Sequence, residues 1–343
     1  MKPSVSILIP AYNAAPWVAD TIKSALAQTW AEKEIIIIDD GSTDHTLAIA
    51  QQFASDQVTV IAQENQGASA ARNLAFARSH GDYIQWLDAD DLLAPDKIAL
   101  QMAIARLPHN HRTLFSSEWG HFMYRTGRAR FVATTLWTDL PPVEWLTRKL
   151  AFNLHMQPAT WLASRELTEA AGPWNTRLSL DDDGEYFCRL ILAADAIRFV
   201  PDARSYYRLS SSTSLSRVDH SDKKLESLWL SLQLHIRCLR MLEDSARTRA
   251  AGVTYLQNWL PSFYPQRPDL AAEAQALAMT LGGRLKPPQV RRKYAWIQRL
   301  FGPATARHLQ GVMPDLKMRL ARAWDKTRFQ MENRRPPGGK SIS

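Results

Sequence analysis

The chain has 343 residues, 45% apolar and 22% charged, with a formal net charge of +8. That mix is globular and long enough to bury a core, so collagen-like, coiled-coil and wholly disordered readings are excluded. Cys188 and Cys238 are the only cysteines and no CxxC pair exists. A cysteine zinc site is therefore excluded, a disulfide framework is disfavoured, and both thiols read as buried and reduced.

The opening MKPSVSILIPAYN carries one Lys and an apolar run that breaks at Pro10, without the longer apolar stretch of a secretory signal. No run approaches the roughly 20 apolar residues that cross a bilayer. The expected location is the cytoplasm, with a peripheral place on the inner face of the plasma membrane as the variant.

Residues 4–9 (SVSILI) predict a first strand, and Val18, Ile22, Ala25 and Leu26 fall at helical spacing after Pro16. Residues 34–38 (EIIII) read as a strand covered on both faces. Asp39-Asp40-Gly41-Ser42 is a turn, followed by a helix over 43–53, a strand over 58–62 and a helix over 68–79 opened by Gly67. Strand 83–87 ends in Asp88-Ala89-Asp90-Asp91, and Pro95 opens a helix through Leu107. This alternation predicts an α/β fold, a mostly parallel sheet flanked by helices, with ligands bound beyond the carboxyl ends of the strands.

After about residue 110 the pattern mixes. TLFSSEW, ARFVATT and ATWLAS predict strands, 143–150 and 180–192 helices, 196–200 and 203–208 short strands, and 210–216 a Ser-rich loop. Leu225, Leu228, Trp229, Leu232, Ile236, Leu239 and Leu242 mark an amphipathic helix. The domain boundary is expected at 216/217, separating an α/β domain (1–216) from a helical, basic C-terminal region (217–343).

Charge is unevenly placed. From Arg284 to Ser343 there are 15 Lys/Arg and 3 Asp/Glu, a net +12, which leaves −4 on the first 283 residues. A basic tail calls for an anionic partner. Trp296, Leu300, Phe301, Leu316, Leu320 and Trp324 fall at helical spacing among the basic residues, a pattern that suits a helix lying on an anionic membrane or a solvated face packed on the protein. Nucleic acid is the less favoured partner.

Four polar clusters sit at strand ends: Pro10-Ala11-Tyr12-Asn13, Asp39-Asp40-Gly41-Ser42, Asn65-Gln66-Gly67 with Arg72, and Asp88-Ala89-Asp90-Asp91. Each alone reads as a turn or helix cap. All four in order at successive strand ends point to a shared site. Asp88 and Asp90 suit Mg²⁺ or Mn²⁺, which takes oxygen from one or two carboxylates plus a substrate diphosphate. Asp40 suits a base N–H, Tyr12 a stacked base, and Arg72 a phosphate or the acidic loop. No GxxxxGK[ST] and no GxGxxG after the first strand exist, so P-loop and nicotinamide readings fail.

SILIPAYN, the Asp-Asp-Gly-Ser-Thr-Asp run at 39–44, ENQGASAARN, GDYIQWLDADD and LDDDGEYFCRL together resemble a family 2 inverting glycosyltransferase of the GT-A fold over about residues 4–216. The resemblance implies a nucleotide-sugar donor whose base lies against Pro10, Ala11, Tyr12 and Asp40, with Gln66, Gly67, Arg72, Asp88, Ala89 and Asp90 around the nucleotide. It implies a divalent cation on Asp88 and Asp90. It makes Asp183, six residues before Arg189, the general base, and a glycan or lipid-linked glycan of the cell envelope the acceptor. The histidine that many relatives carry after a Tyr-Arg pair is absent, because Leu209-Ser210 follow Tyr207-Arg208. Acidic neighbours of Asp183 are expected to push its pKa upward. Among the 12 Trp, Trp174 is the first acceptor-side candidate, with Trp119 and Trp137 behind it. Two other readings compete: a catalytically silent GT-A protein that binds nucleotide sugar or scaffolds, and a nucleic-acid binder using the tail.

Overall fold

Period-two sorting builds the central sheet. In β1 (Val5–Ala11), Val5, Ile7, Ile9 and Ala11 enter one apolar layer and Leu8 the other. In β2 (Lys33–Asp40), Ile35 and Ile37 join the first layer, Ile36 and Ile38 the second. A strand buried on both faces must be apolar at successive positions, which accounts for the EIIII run. The computed structural model describes residues 2–107, 111–209, 221–264, 266–288 and 318–332.

Helices α1 (Val18–Leu26), α2 (Thr46–Gln51) and α3 (Ala68–Ala77) alternate with β1, β2, β3 (Val58–Gln63) and β4 (Tyr83–Trp86). The four strands are parallel, and β8 (Ala163–Ser164) adds an antiparallel edge, in the order β3-β2-β1-β4-β8. The register sets Ala11 beside Asp39 and Asp40 beside Gln63, so three strand ends open on one rim. A second sheet orders β5 (Leu92–Leu93), β9 (Ala196–Arg208), β6 (Thr113–Phe122) and β7 (Arg130–Phe131) as β5-β9-β6-β7. The chain also forms α4 (Lys97–Ala105), α5 (Pro142–Ala151), α6 (Arg165–Ala171), α7 (Asp182–Ala193), α8 (Asp222–Leu242), α9 (Ala246–Trp259) and α10 (Pro268–Thr280).

Three local expectations change. ARFVATT contributes only the two residues of β7 to a strand. In ATWLAS, a 3₁₀ turn at Pro158–Thr160 replaces the first strand residues, because the Gln157 side chain takes the Ala159 N–H. The two short strands at 196–200 and 203–208 are one strand, β9, which passes Pro201 with Asp202 in the left-handed region at φ 64°.

The described residues fall into two compact units. One draws on Met1–Gly120, Phe131–Tyr207 and Thr213–Leu285, the other on His121–Arg130, Arg208–Ser212 and Lys286–Ser343. In the first, α8 packs on α7 and α9 on α5. Leu225, Leu228, Leu232, Tyr255 and Phe263 thereby share one core with Trp86, Trp145 and Trp161. The expected boundary at 216/217 lies outside the described residues, and α8–α10 beyond it belong to the unit that holds the central sheet. In the second unit, residues 318–332 are helical. Trp296, Leu300, Phe301 and Leu316 of the expected amphipathic tail, and the Ser-rich loop 210–216, lie outside the described residues. Among the described residues no helix is long and apolar enough to cross a membrane. Both cysteines are buried and unpaired with each other.

Trp161 is fully buried between Trp145 and Phe187, with ring centroids 5.3 and 5.4 Å away. Trp161→Ala is expected to cost about 3–5 kcal/mol, read as a lower urea midpoint at unchanged slope.

Candidate active site

The strand-end loops are tied to one another by their own polar groups. Asp40, buried at the end of β2, accepts from Gln63 Nε2 (2.6 Å) and Gln66 N (2.9 Å) at Oδ1, and from Gly67 N (2.8 Å) at Oδ2. Oδ2 thus keeps one lone pair for another donor. Gly67, at φ 90°, opens α3, and its conformation turns both amides toward Asp40. Asn13 accepts from Thr43 N (2.9 Å) and donates its own N–H to Ser42 Oγ (3.0 Å), which fastens the β1 loop to the β2 loop. Tyr12, between them, is half exposed.

Arg72 of α3 is the centre of the charge arrangement. Its Nη2 lies 2.8 Å from Asp88 Oδ1, past the end of β4, and its Nη1 lies 2.8 Å from Asp182 Oδ2, at the start of α7. Ser69 Oγ, one turn earlier on α3, donates to the same Asp182 oxygen at 3.1 Å. The guanidinium plane lies 4.3 Å from the Trp174 ring centroid. Burial works against the Arg72 charge, and Asp88 and Asp182 outweigh it, so its pKa is raised. One cation therefore joins a carboxylate from residue 88 to one from residue 182.

Asp183 follows in the first turn of α7, partly buried, with Oδ1 accepting its neighbour Gly184 N–H at 2.9 Å. Its pKa is pushed up to about 7, first by burial, then by Asp181 and Asp182, with Arg72 opposing and Asp88 adding. Asp181 caps the helix in the left-handed region (φ 58°) and is held from below by α8. Ser231 Oγ donates to Asp181 Oδ2 at 2.5 Å, and His235 Nε2 stands 3.7 Å from the same oxygen. Beyond it, His235 Nδ1 meets the Tyr255 hydroxyl of α9 at 2.8 Å. His235 is fully buried, and burial drives its pKa down to about 4, so it is neutral at pH 7. A Cβ on Gly184 would crowd Asp181 Oδ1 and lie 2.9 Å from His235 Cε1, so any larger residue there would force the Asp181 or His235 side chain to shift. Arg189, one helical turn and a half further, holds Glu185 (2.7 Å) and the carbonyl of Pro173 (2.8 Å).

Asp88, Arg72 and Asp183 are thus neighbours, and Asp40, Gln66 and Gly67 are mutually bonded along the same sheet rim. Pro10 and Ala11 lie beside Ile38 and Asp39 in register. Ala89 is buried, its carbonyl taken by Thr21 Oγ1 at 2.9 Å, and Asp90 is partly buried one residue on. Trp174 corrects an expectation: it is 2% exposed, stacked on Tyr186 at 4.0 Å and 9°, and supports Arg72 rather than facing an acceptor. Trp137 is stacked on Phe199. Trp119 instead meets His155 and Tyr207 edge-on at 5.7 and 6.0 Å. Tyr207 is one register step from the Leu92–Tyr206 pair, next to the acidic turn. Sequence reasoning missed Asp182 as the Arg72 partner and the Ser231–His235–Tyr255 support, because they depend on contacts 20 to 110 positions apart along the chain and on α8, which read only as an apolar stripe.

Among the described residues no group of three or more His, Cys, Asp and Glu is arranged to hold a metal. A hard dication that takes one or two carboxylates, with diphosphate and water for the rest, does not need three. Asp88 fits that requirement through Oδ2, since Arg72 engages only Oδ1.

Residues 6–149 match the family described as Glycosyl transferase family 2. The chondroitin synthase of Escherichia coli is 45% identical over 100 residues, 29% of this chain and 15% of that protein. The chain likewise spans under half the length of the rickettsial glycosyltransferases it matches. In structure it is similar to Staphylococcus aureus TarS residues 1–349 in complex with UDP, with TM-score 0.60, 16% identity, and coverage of 81% of this chain and 88% of that one. It is also similar to the mannosyltransferase PcManGT of Pyrobaculum calidifontis in complex with GDP-Man and Mn²⁺, with TM-score 0.54, 19% identity, and coverage of 95% and 88%. At these identities the likeness establishes the fold, GT-A.

Arg72→Met removes the shared cation from two carboxylates and is expected to cost about 3–5 kcal/mol at neutral pH. Urea denaturation measures it, and a loss under 1 kcal/mol, the range of an exposed pair, would contradict the bridge.

Proposed function

Because the chain carries a family 2 glycosyltransferase domain of the GT-A fold, we propose that it transfers a sugar from a nucleotide diphosphate, a UDP-sugar, to a hydroxyl of a glycan or lipid-linked glycan, inverting the anomeric carbon. The observation that carries this reading is the Arg72 bridge, which sets the base candidate Asp183 beside the acidic turn at Asp88. TarS with UDP supports the donor class, and a chondroitin synthase among the relatives supports a glycan acceptor.

In this reading the exposed Tyr12 ring stacks on the base and the spare Asp40 lone pair takes its N–H. Asp183 accepts the proton of the acceptor hydroxyl while that oxygen bonds to the anomeric carbon. The bond from that carbon to the diphosphate oxygen breaks on the opposite face, and the electron pair leaves with the nucleoside diphosphate. A pKa of about 7 suits a general base at neutral pH. Asp88 and Asp90 are the residues that would hold Mg²⁺ or Mn²⁺, which when bound supplies positive charge to the leaving diphosphate. Arg72 stays charged and keeps the acidic turn in place. The corner of Trp119, His155 and Tyr207 offers aromatic faces to an acceptor sugar.

Asp183→Asn keeps the shape and removes the base. It is expected to lower kcat by roughly 10³-fold while UDP-sugar binding, followed by thermal shift with and without Mn²⁺, stays at the wild-type level. Turnover at the wild-type rate would refute the assignment and favour a silent binding protein. In the wild type, kcat/KM is expected to climb as pH rises through about 7, and a pH–rate profile without that limb would contradict the base.

The same group has a stability signature. Its folded pKa, about 7, lies above the unfolded value of 3.8, so the native state holds more protons between them. Stability contributed by Asp183 is therefore full below the unfolded value and lost as pH rises toward 7. Asp183→Asn is expected to raise the melting temperature at pH 8 and to leave it unchanged at pH 4.

A further inference from the structure

The helix at 318–332 sorts its charges in space. Both its acids pair with Arg125: the buried Asp325 meets Arg125 Nη2 at 2.7 Å and Tyr124 N at 3.0 Å, and the exposed Glu332 meets Arg125 Nη1 at 2.7 Å. Arg322 and Phe329 complete this docked face, the first donating to the Leu209 carbonyl at 2.9 Å and the second meeting Tyr124 at 6.0 Å. Residues 322, 325 and 329 follow helical i, i+3, i+7 spacing. At 100° per residue, Leu320, Trp324 and Met331 cluster on the opposite side. They are 65%, 59% and 56% exposed. Arg319 and Lys326 flank that stripe on one side and Arg328 on the other, all exposed. The Trp324 ring has the guanidinium groups of Arg125 and Arg328 at 5.5 and 5.4 Å and leaves the rest of its surface open.

Single exposed apolar residues need no explanation, but three large ones in a row, rimmed by cations, do. We propose that this outer face docks on an anionic lipid surface, the apolar stripe entering the interface and Arg319, Lys326 and Arg328 meeting headgroup charge. Charge complementarity selects this occupant. Both acids of the helix are consumed by Arg125, and the chain from Arg284 onward carries 15 Lys/Arg against 3 Asp/Glu. A second copy of the face would oppose cation to cation. A nucleic acid would engage the cations and leave Leu320 and Met331 without a role. This surface is independent of the glycosyl-transfer reading.

Flotation of the full chain with phosphatidylcholine vesicles, with and without phosphatidylglycerol, tests it. Binding is expected only with phosphatidylglycerol, and weaker at high salt. L320S/W324S/M331S is expected to lower it roughly tenfold or more, and R319Q/K326Q/R328Q roughly fivefold per charge. Melting temperature should hold in R319Q/K326Q/R328Q and fall by no more than about a few degrees in L320S/W324S/M331S, which gives up the Trp324–Arg125 contact and keeps the Asp325 and Glu332 pairs. Quenching by brominated lipid, taken as wild type minus W324F, places Trp324 in the interface without relying on the triple variants. Absence of vesicle binding, triple variants that float like wild type, or no Trp324 quenching would overturn the proposal. So would a wild-type dimer that L320S/W324S/M331S makes monomeric, or duplex DNA binding in place of vesicle binding.

Discussion

One guanidinium organises the chemistry of this molecule. Three acidic stretches, at 88–91, at 181–183 and at the end of β2, crowd the rim of one sheet, and carboxylates brought together raise one another's energy. Arg72 answers two of them with a short contact each and is held by the Trp174 face. Its charge is what allows the start of α7 to sit beside the β4 turn. Remove it, and Asp88, Asp182 and Asp183 become mutually repelling groups, each partly buried.

The arrangement also separates two carboxylates that are adjacent in sequence. Asp182 is engaged by Arg72 and Ser69, whereas Asp183 accepts the Gly184 amide and has a pKa near 7. Neighbouring residues of identical chemistry thus take different roles because one faces a cation and the other faces burial and like charge. The same division runs through the β2 end. Asp40 spends three of its acceptor positions on the loop before α3, while Asp39 receives Ser42 N and has a second oxygen buried with no partner among the described residues.

Much of this was legible in the chain. The central strands announce themselves through EIIII and SVSILI, because burial on both faces favours apolar residues at successive positions, with Ser6 admitted through its bond to Glu34. The acidic turns, Gly67 and Arg72 could be placed at strand ends from the alternation alone. The illegible part has a physical cause. Trp174 read as an acceptor platform because its position before LDDDGEY is near the site in sequence, yet proximity along the chain does not reveal that its ring is covered by Tyr186 and Arg72. Ser231, His235 and Tyr255 lie inside an apolar helical pattern, where periodicity reports burial and is silent about polar partners. The boundary drawn after the Ser-rich loop followed composition, whereas packing places α8–α10 on the sheet's own core.

That last feature bears on how such proteins are divided. The stretch matched by the family ends at residue 149, before α7 and before the helices that brace it from beneath. A fragment cut there would keep the strand-end loops but strip Trp86 and Trp145 of the apolar company of Trp161, Tyr186 and Leu190, and would lose the aspartate at the helix start altogether. Homology marks what is shared across relatives, whereas the compact unit that holds the central sheet extends through Leu285. Grafting this rim of acidic loops onto another scaffold would mean carrying α8 and α9 along with it.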